Sequence, residues 1–247
     1  MAPATTKTTS EKTAPWRVLA VFAIPIIASW VKVTYHHRER VPATGAFILA
    51  PNHFTNIDPI VVGYALFRLG RVPRFLAKAS LFRIPVVGGF LRGLGQIPVE
   101  RSGRGANPLA AAAALAERGQ SVIIYPEGTL TREPDLWPMR GKSGAVRAAL
   151  ERGVPIIPAA HWGTQQLMGR YSSRFRPFPR KHIDLAFGEP VDLAAWSGRP
   201  LSSEELAAAT EHVMDAITAL LEELRGERAP AERWDPAQHG QTEFGRP

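Results

Sequence analysis

The 247-residue chain has no cysteine, which excludes disulfides, a thiolate nucleophile and thiolate-bound metals. That absence leaves the compartment open. No Gly-x-Ser-x-Gly elbow occurs, so the sequence offers no serine nucleophile of that kind. Acidic residues are outnumbered: 22 Asp and Glu face 30 Lys and Arg, giving a net charge of +8 and a pI near 10.3. Such a balance favours an anionic partner, whether a phosphate-bearing substrate, a membrane surface or nucleic acid. No internal repeat is visible, and no linker splits the chain. A full membrane crossing is not expected either. "VLAVFAIPIIASWV" (Val18 to Val31) is uncharged, but as a helix it covers roughly 21 Å, short of the ~30 Å hydrocarbon core, and Pro25 interrupts it. The segment around it offers a poor signal-peptide cleavage site. Residues 15–34 are therefore predicted to form an interfacial or membrane-dipping helix, with Trp16 and Trp30 at the headgroups and Arg17 and Lys32 at its ends. Residues 1–14, polar and rich in threonine, read as a mobile tail.

Beyond this segment, short apolar runs alternate with helical patterns, the signature of an α/β domain over residues 35–225. "AFILA", "RFLAK", "GQIPVE", "SVIIYP", "VPIIPAA" and "HIDLAFG" read as strands. Asp58-Pro59 and Asn107-Pro108 read as helix caps with proline in the first turn. The helices they open are "IVVGYALFRL", stopped by Gly70, and "LAAAAALAER", stopped by Gly119. "SGAVRAALERG" is a third helix, and Ser202 with Glu205 forms a capping box on a long fourth. Residues 226–247 read as a C-terminal tail.

Two stretches carry chemistry. "NHFTNIDP" puts His53 just past a strand and Asp58 at the next helix start, where active sites gather in open α/β sheets. A turn between them lets the carboxylate orient the imidazole and stabilise its protonated form, leaving the other nitrogen as a general base. The same residues also suit a plain turn and cap. "YPEGTLTR" likewise follows a strand, so Glu127, Gly128, Thr129 and Arg132 sit at a strand end, where turn amides and a hydroxyl can meet a phosphate or an oxyanion. "GQIPVERSGRG" adds Arg101 and Arg104 as a plausible phosphate grip. His36 and His37 are adjacent, but their spacing includes no carboxylate partner, so no metal site is expected.

Together these stretches resemble the glycerolipid acyltransferases, the family that includes 1-acylglycerol-3-phosphate acyltransferases. Four blocks stand in order between Val41 and Glu189: the His-x4-Asp block (His53 to Asp58), "GQIPVER" (Gly95 to Arg101), Pro-Glu-Gly-Thr (Pro126 to Thr129) and "VPIIPA" (Val154 to Ala159). Three departures stand out. Tyr125 replaces the usual Phe before the third block, Pro98 replaces Phe in the second, and Leu130 stands where relatives carry Arg. The resemblance implies a single domain with a mixed central sheet. It implies transfer of an acyl group from acyl-CoA or acyl-carrier protein to a glycerol hydroxyl, with no cofactor or metal. His53 and Asp58 would be the catalytic pair. Glu127, Gly128 and Thr129 would order a lysophospholipid acceptor, Lys78 and Arg101 would neutralise its phosphate, and Arg132 would replace the arginine missing at 130 in binding the acceptor, unless the acceptor differs. "AAHWGTQQLMGR" (Ala159 to Arg170) is expected to line the acceptor site.

The basic charge then suits an anionic membrane. Arg68, Arg71, Arg74, Lys78, Arg83 and Arg92 cluster before Glu100, and Arg170, Arg174, Arg176, Arg180 and Lys181 interleave with Tyr171, Phe175 and Phe178. No nucleic-acid module pattern is present, so nucleic acid is not expected as a partner. The expected location is the cytoplasmic face of the cell membrane. Two alternatives remain: the same chemistry on glycerol-3-phosphate, another lysophospholipid or a glycolipid, and a non-catalytic peripheral lipid-binding protein.

Overall fold

The computed structural model describes residues 14–99 and 118–241. Helix α1 (Ala14–Trp30) leads directly into strand β1 (Val31–His36), followed by β2 (Phe47–Pro51), α2 (Asp58–Arg68), β3 (Leu76–Lys78), α3 (Val87–Gly93) and β4 (Ile97–Val99). After the undescribed stretch come β5 (Ser121–Ile123), α4 (Gly144–Arg152), β6 (Ile156–Trp162), β7 (Lys181–Phe187) and α5 (Ser203–Arg225). The helix predicted after Pro108, and Arg101 and Arg104, lie outside the described residues.

The main sheet has the order β1-β7-β6-β2-β5. Every neighbouring pair is parallel except β6 with β7, so the sheet is mixed. Strands β2 and β6 sit centrally and are buried on both faces, which explains their unbroken apolar runs. Successive residues of β2 point to opposite sides. Ile48 and Ala50 meet α4 and α5 through Ala145, Val146, Val213 and Ile217, while Phe47 and Leu49 meet α2 through Val62, Ala65 and Leu66. The Ser202–Glu205 capping box opens α5 as predicted. Strands β3 and β4 form a separate parallel pair, with Lys78 opposite Val99.

Several expectations change. Residues 31–34 belong to β1, whose "VKVTYH" alternation pairs it with β7. Helix α1 runs through Pro25 instead of stopping there. Trp16 is buried: its indole N–H donates to the Leu94 carbonyl (2.9 Å) and its ring stacks on Phe67. Arg71 and Arg74, expected on the basic surface, are also buried. The Arg71 guanidinium donates to the carbonyls of Pro42 (2.6 Å) and Gly45 (2.7 Å) and covers the Phe47 ring, so it ties loops together. Part of the predicted C-terminal tail is docked. Arg233 binds Glu211 (2.8 Å) and Asp215 (2.6 Å) of α5, and Asp235 takes Arg140 at 3.0 Å.

Among the described residues, no helix is long and apolar enough to cross a membrane. Instead α1 leaves Val18, Val21, Phe22 and Ile26 exposed, and the segment around α3 exposes Leu81, Ile84, Val86, Val87 and Phe90. Trp16 packs against Leu94, just beyond α3, so the two apolar groups belong to joined elements.

Candidate active site

Strands β2, β5 and β6 run parallel side by side, so the segments leaving their carboxyl ends converge. From β2 come Asn52, His53 and the turn to Asp58. From β5 come Tyr125 and the Glu127-Gly128-Thr129 turn, and the end of β6 supplies His161 and Thr164.

His53 and Asp58 meet. The imidazole Nδ1 lies 3.0 Å from Asp58 Oδ2. The same oxygen accepts the backbone N–H groups of Phe54 and Thr55, both at 2.8 Å. The hydroxyls of Thr55 and Thr164 donate to Oδ1, the latter at 2.7 Å. Asp58 therefore does not cap its helix: the residue before α2 is Ile57, and the carboxylate turns back to hold the loop. Burial raises the acid's pKa, but the fields of His161 and His53 and the hydrogen bonds from His53 and Thr55 outweigh it and hold Asp58 at about 2. An ionised Asp58 accepts from Nδ1–H, which fixes the tautomer and leaves Nε2 with its lone pair. The His53 side chain is 15% exposed, so the pair is shielded yet reachable.

Glu127 takes a different part from the one expected. It is fully buried, and its two oxygens accept the backbone N–H groups of His53 (2.8 Å) and Met139 (3.1 Å). Thr131 N–H adds a bond to the His53 carbonyl (2.7 Å). Glu127 thus locks the histidine loop to the third block. Burial raises its pKa to about 8, against the lowering effect of the hydrogen bonds from Met139, His53 and Thr131.

The turn itself is as predicted at Gly128, whose φ of +72° suits glycine. Its N–H closes on the Tyr125 carbonyl at 3.1 Å, which removes that amide from the donors open to an oxyanion. Thr129 is half-buried beside it, and Arg132 is buried. Leu130, where relatives carry Arg, is buried apolar surface. Lys78 sits at the end of β3, and Arg101 lies outside the described residues.

Sequence reasoning missed several participants. Tyr125 stacks on the His53 ring, centroids 4.1 Å apart, and burial, reinforced by Asp58, pushes its phenol well above the usual range. Asn52 and His161 pair reciprocally: His161 N–H donates to Asn52 Oδ1 (2.9 Å), and the Asn52 amide donates to the His161 carbonyl (3.1 Å). Burial lowers the pKa of His161, against the opposing pull of Asp58. His161 and Thr164 fall in the stretch expected to line the acceptor site, and they lie against Asp58. Lys142 lies across Gly128, where an added Cβ would come within 3.1 Å of its Cδ. The local signal for Asn52, Tyr125 and Thr164 was their place after strands.

His36 and His37, which lacked a carboxylate partner in sequence, each find one in space: Asp184 at 3.0 Å and Glu223 at 3.1 Å. Among the described residues, no group of three or more His, Asp or Glu side chains is set to hold a metal.

An imidazole oriented by a buried carboxylate thus stands at the carboxyl edge of a mixed sheet, the arrangement that a general base requires. The family profile described as Acyltransferase matches residues 32–162, and the chain belongs to that acyltransferase family. It is 32% identical over 188 residues to the 1-acyl-sn-glycerol-3-phosphate acyltransferase of Bacillus subtilis, covering 76% of this chain and 87% of that one. The chloroplastic 1-acyl-sn-glycerol-3-phosphate acyltransferase BAT2 of Brassica napus is 34% identical over 133 residues, 53% of this chain but 37% of that longer protein. Among solved structures, the 1-acyl-sn-glycerophosphate acyltransferase PlsC of Thermotoga maritima superposes with a TM-score of 0.63 at 28% identity, covering 87% of this chain and 81% of that one. The fold is that of the family.

Proposed function

We propose that this acyltransferase moves a fatty acyl group from a thioester, acyl-CoA or acyl-carrier protein, to the free hydroxyl of 1-acylglycerol-3-phosphate, giving phosphatidate. The observation that carries this reading is the 3.0 Å bond between His53 Nδ1 and a buried, ionised Asp58. The relatives' activity supplies the substrate class.

Nε2 of His53 takes the proton of the acceptor hydroxyl as its oxygen attacks the thioester carbonyl. Asp58 stabilises the imidazolium. The tetrahedral oxyanion collapses, the carbon–sulfur bond breaks, and the leaving thiolate takes the proton from Nε2. Proton and electron pairs balance without a covalent enzyme intermediate. We assign Thr129 and Arg132, in the segment after β5, to the acceptor, and Lys78 and Arg101 to its phosphate; Glu127 keeps His53 in register. No cofactor enters the reaction.

The acceptor is a lipid, and the exposed apolar residues of α1 and of the α3 segment suit the surface of a bilayer. Exposed Arg17, Lys32, Arg83 and Arg92 rim them with positive charge for anionic headgroups. We place the enzyme on the cytoplasmic face of the membrane, seated by residues 15–30 and the α3 segment without spanning.

The test is thiol release from palmitoyl-CoA by purified protein, with and without lysophosphatidate, for the native chain and His53→Ala. Release that requires both acceptor and His53 is the expected result. Release independent of His53 overturns the mechanism. If glycerol-3-phosphate or a neutral lysolipid is the better acceptor in the same assay, the substrate assignment falls while the chemistry stands.

A further inference from the structure

Strand β5 does not release the chain at Ile123. The Ile124 N–H donates to the Leu49 carbonyl of β2 (2.9 Å), and Pro126 favours extended backbone in the residue before it, so Tyr125 continues the alternation of the strand. Ile123 belongs to the apolar cluster on the α2 side and Ile124 to the one on the opposite face. Tyr125 returns to the first, packing against the cluster that contains Phe47, Leu49, Val62 and Ala65. Its carbonyl accepts from the Gly128 N–H (3.1 Å), which ties it to the turn as well. The ring is therefore held from the core.

That ring lies against one face of the His53 imidazole, with centroids 4.1 Å apart and planes inclined by 29°. Asp58 fixes the imidazole at a single atom, Nδ1, and one hydrogen bond lets a flat ring rock about the contact. A second flat ring stacked on it removes that freedom. The face also matters for charge: an aromatic ring attracts a cation within about 6 Å of its centroid, more strongly where water is excluded. Among the described residues nothing bonds to the buried Tyr125 hydroxyl. Burial, reinforced by Asp58, pushes the phenol well above its usual range, so Tyr125 supplies no second base at neutral pH. Its contribution is the face of the ring.

We propose that Tyr125 is a positioning residue of the reaction: its ring is the platform on which the His53 imidazole rests, setting the plane in which Nε2 meets the acceptor hydroxyl and stabilising the imidazolium once the proton is taken. This role rests on the general-base reading of His53. It acts through His53 alone, so it bears on proton transfer and leaves the binding of donor and acceptor as it is.

The experiment compares the native chain with Tyr125→Leu, Tyr125→Met and Tyr125→Phe in the thiol-release assay with palmitoyl-CoA and lysophosphatidate. The two variants without an aromatic face should each lower kcat ~10-fold, the worth of one desolvated cation–π contact, with KM for both substrates unchanged. Tyr125→Phe, which keeps the face, should recover most of the kcat. Circular dichroism melts check folding, and proton NMR reads the contact without turnover. A proton over an aromatic face is shifted upfield. The ring C–H signals of His53, assigned by their loss in His53→Ala, should therefore stand upfield in the native chain and in Tyr125→Phe, and move downfield in the Leu and Met variants. Native kcat in a folded Leu or Met variant overturns the proposal. So does a raised KM with kcat unchanged, which makes the ring a substrate contact. Tyr125→Phe as slow as Tyr125→Leu overturns it too, because the hydroxyl then carries the effect. If neither non-aromatic variant folds, the native His53 signals decide, and their lying at ordinary positions overturns the stacking. A chain whose His53 signals move with the ring but which transfers no acyl group sinks the functional reading and leaves the platform standing.

Discussion

Replacing Asp58 with asparagine separates charge from geometry at the centre of the site. Oδ2 accepts from His53 Nδ1, Phe54 N and Thr55 N, whereas Oδ1 accepts only hydroxyls, from Thr55 and Thr164. An asparagine whose amide oxygen takes the Oδ2 position keeps all three N–H donors. Its NH2 group then faces two hydroxyls, each of which can rotate to accept. The structural loss should therefore be small, about 1–2 kcal/mol, the worth of one or two ordinary hydrogen bonds. The loss in chemistry should be large, because a neutral amide cannot stabilise the imidazolium. A drop in kcat on the order of 10³–10⁴-fold is expected, the effect of the same change in a Ser-His-Asp triad. That drop corresponds to about 4–5 kcal/mol of activation energy. Asp58→Ala removes every acceptor at once and should cost about 3–5 kcal/mol of stability as well. Thiol-release kinetics give the first quantity, and urea unfolding followed by tryptophan fluorescence gives the second. If Asp58→Asn keeps kcat within tenfold of native, the carboxylate is structural and the base needs no counter-charge.

Stability should depend on pH through two buried acids of opposite sign. Asp58 falls from 3.8 to about 2 on folding, so its contribution, about 2 kcal/mol, is present above pH 4 and lost as pH drops toward 2. Glu127 rises from 4.5 to about 8, so its contribution is present below pH 4.5 and lost as pH climbs through 8; urea midpoints should fall across that window, and Glu127→Gln should flatten the fall while lowering kcat as the His53 loop loosens. Gly128→Ala should cost about 1–2 kcal/mol, because an L-residue at φ +72° is strained and the new methyl pushes on Lys142; an unchanged melting temperature contradicts this. Phe22→Asp with Phe90→Asp should abolish sedimentation with anionic vesicles while leaving turnover of a detergent-dispersed acceptor intact, and undiminished sedimentation would show that other residues seat the protein.

The strands were legible wherever burial made them short and apolar, as at Phe47–Pro51 and Ile156–Trp162. The two motifs after β2 and β5 were legible because a strand end is a fixed landmark in the chain. Strand β1 was lost because Val31 follows an apolar helix with no glycine or proline between them, although the "VKVTYH" alternation was there to be read. The roles of Glu127, His161 and Thr164 depend on three strands ending side by side, and no local pattern in the sequence encodes that neighbourhood. Arg71 reads as a surface cation, yet carbonyls from loops around residues 42 and 45 accept its charge indoors. The C-terminal segment looked like a tail because its cluster of Pro and Gly hides an arginine that docks on α5.

Helix α1 passes into β1 with no residue between Trp30 and Val31, and β1 is bonded along its length to β7. A helix lying on the bilayer therefore cannot act as a tether on which the catalytic domain swings. Tilt the helix and the sheet tilts with it. If α1 seats the protein on a bilayer as proposed, the height and orientation of His53 above the lipid are set once, when the protein lands. The acceptor must then arrive by sliding in the plane of the leaflet and rising a fixed distance, whereas the soluble donor is free to approach from the opposite hemisphere. Substrate access becomes a matter of how the body is seated, so a change in the tilt of α1 alters the reaction without touching a residue of the site.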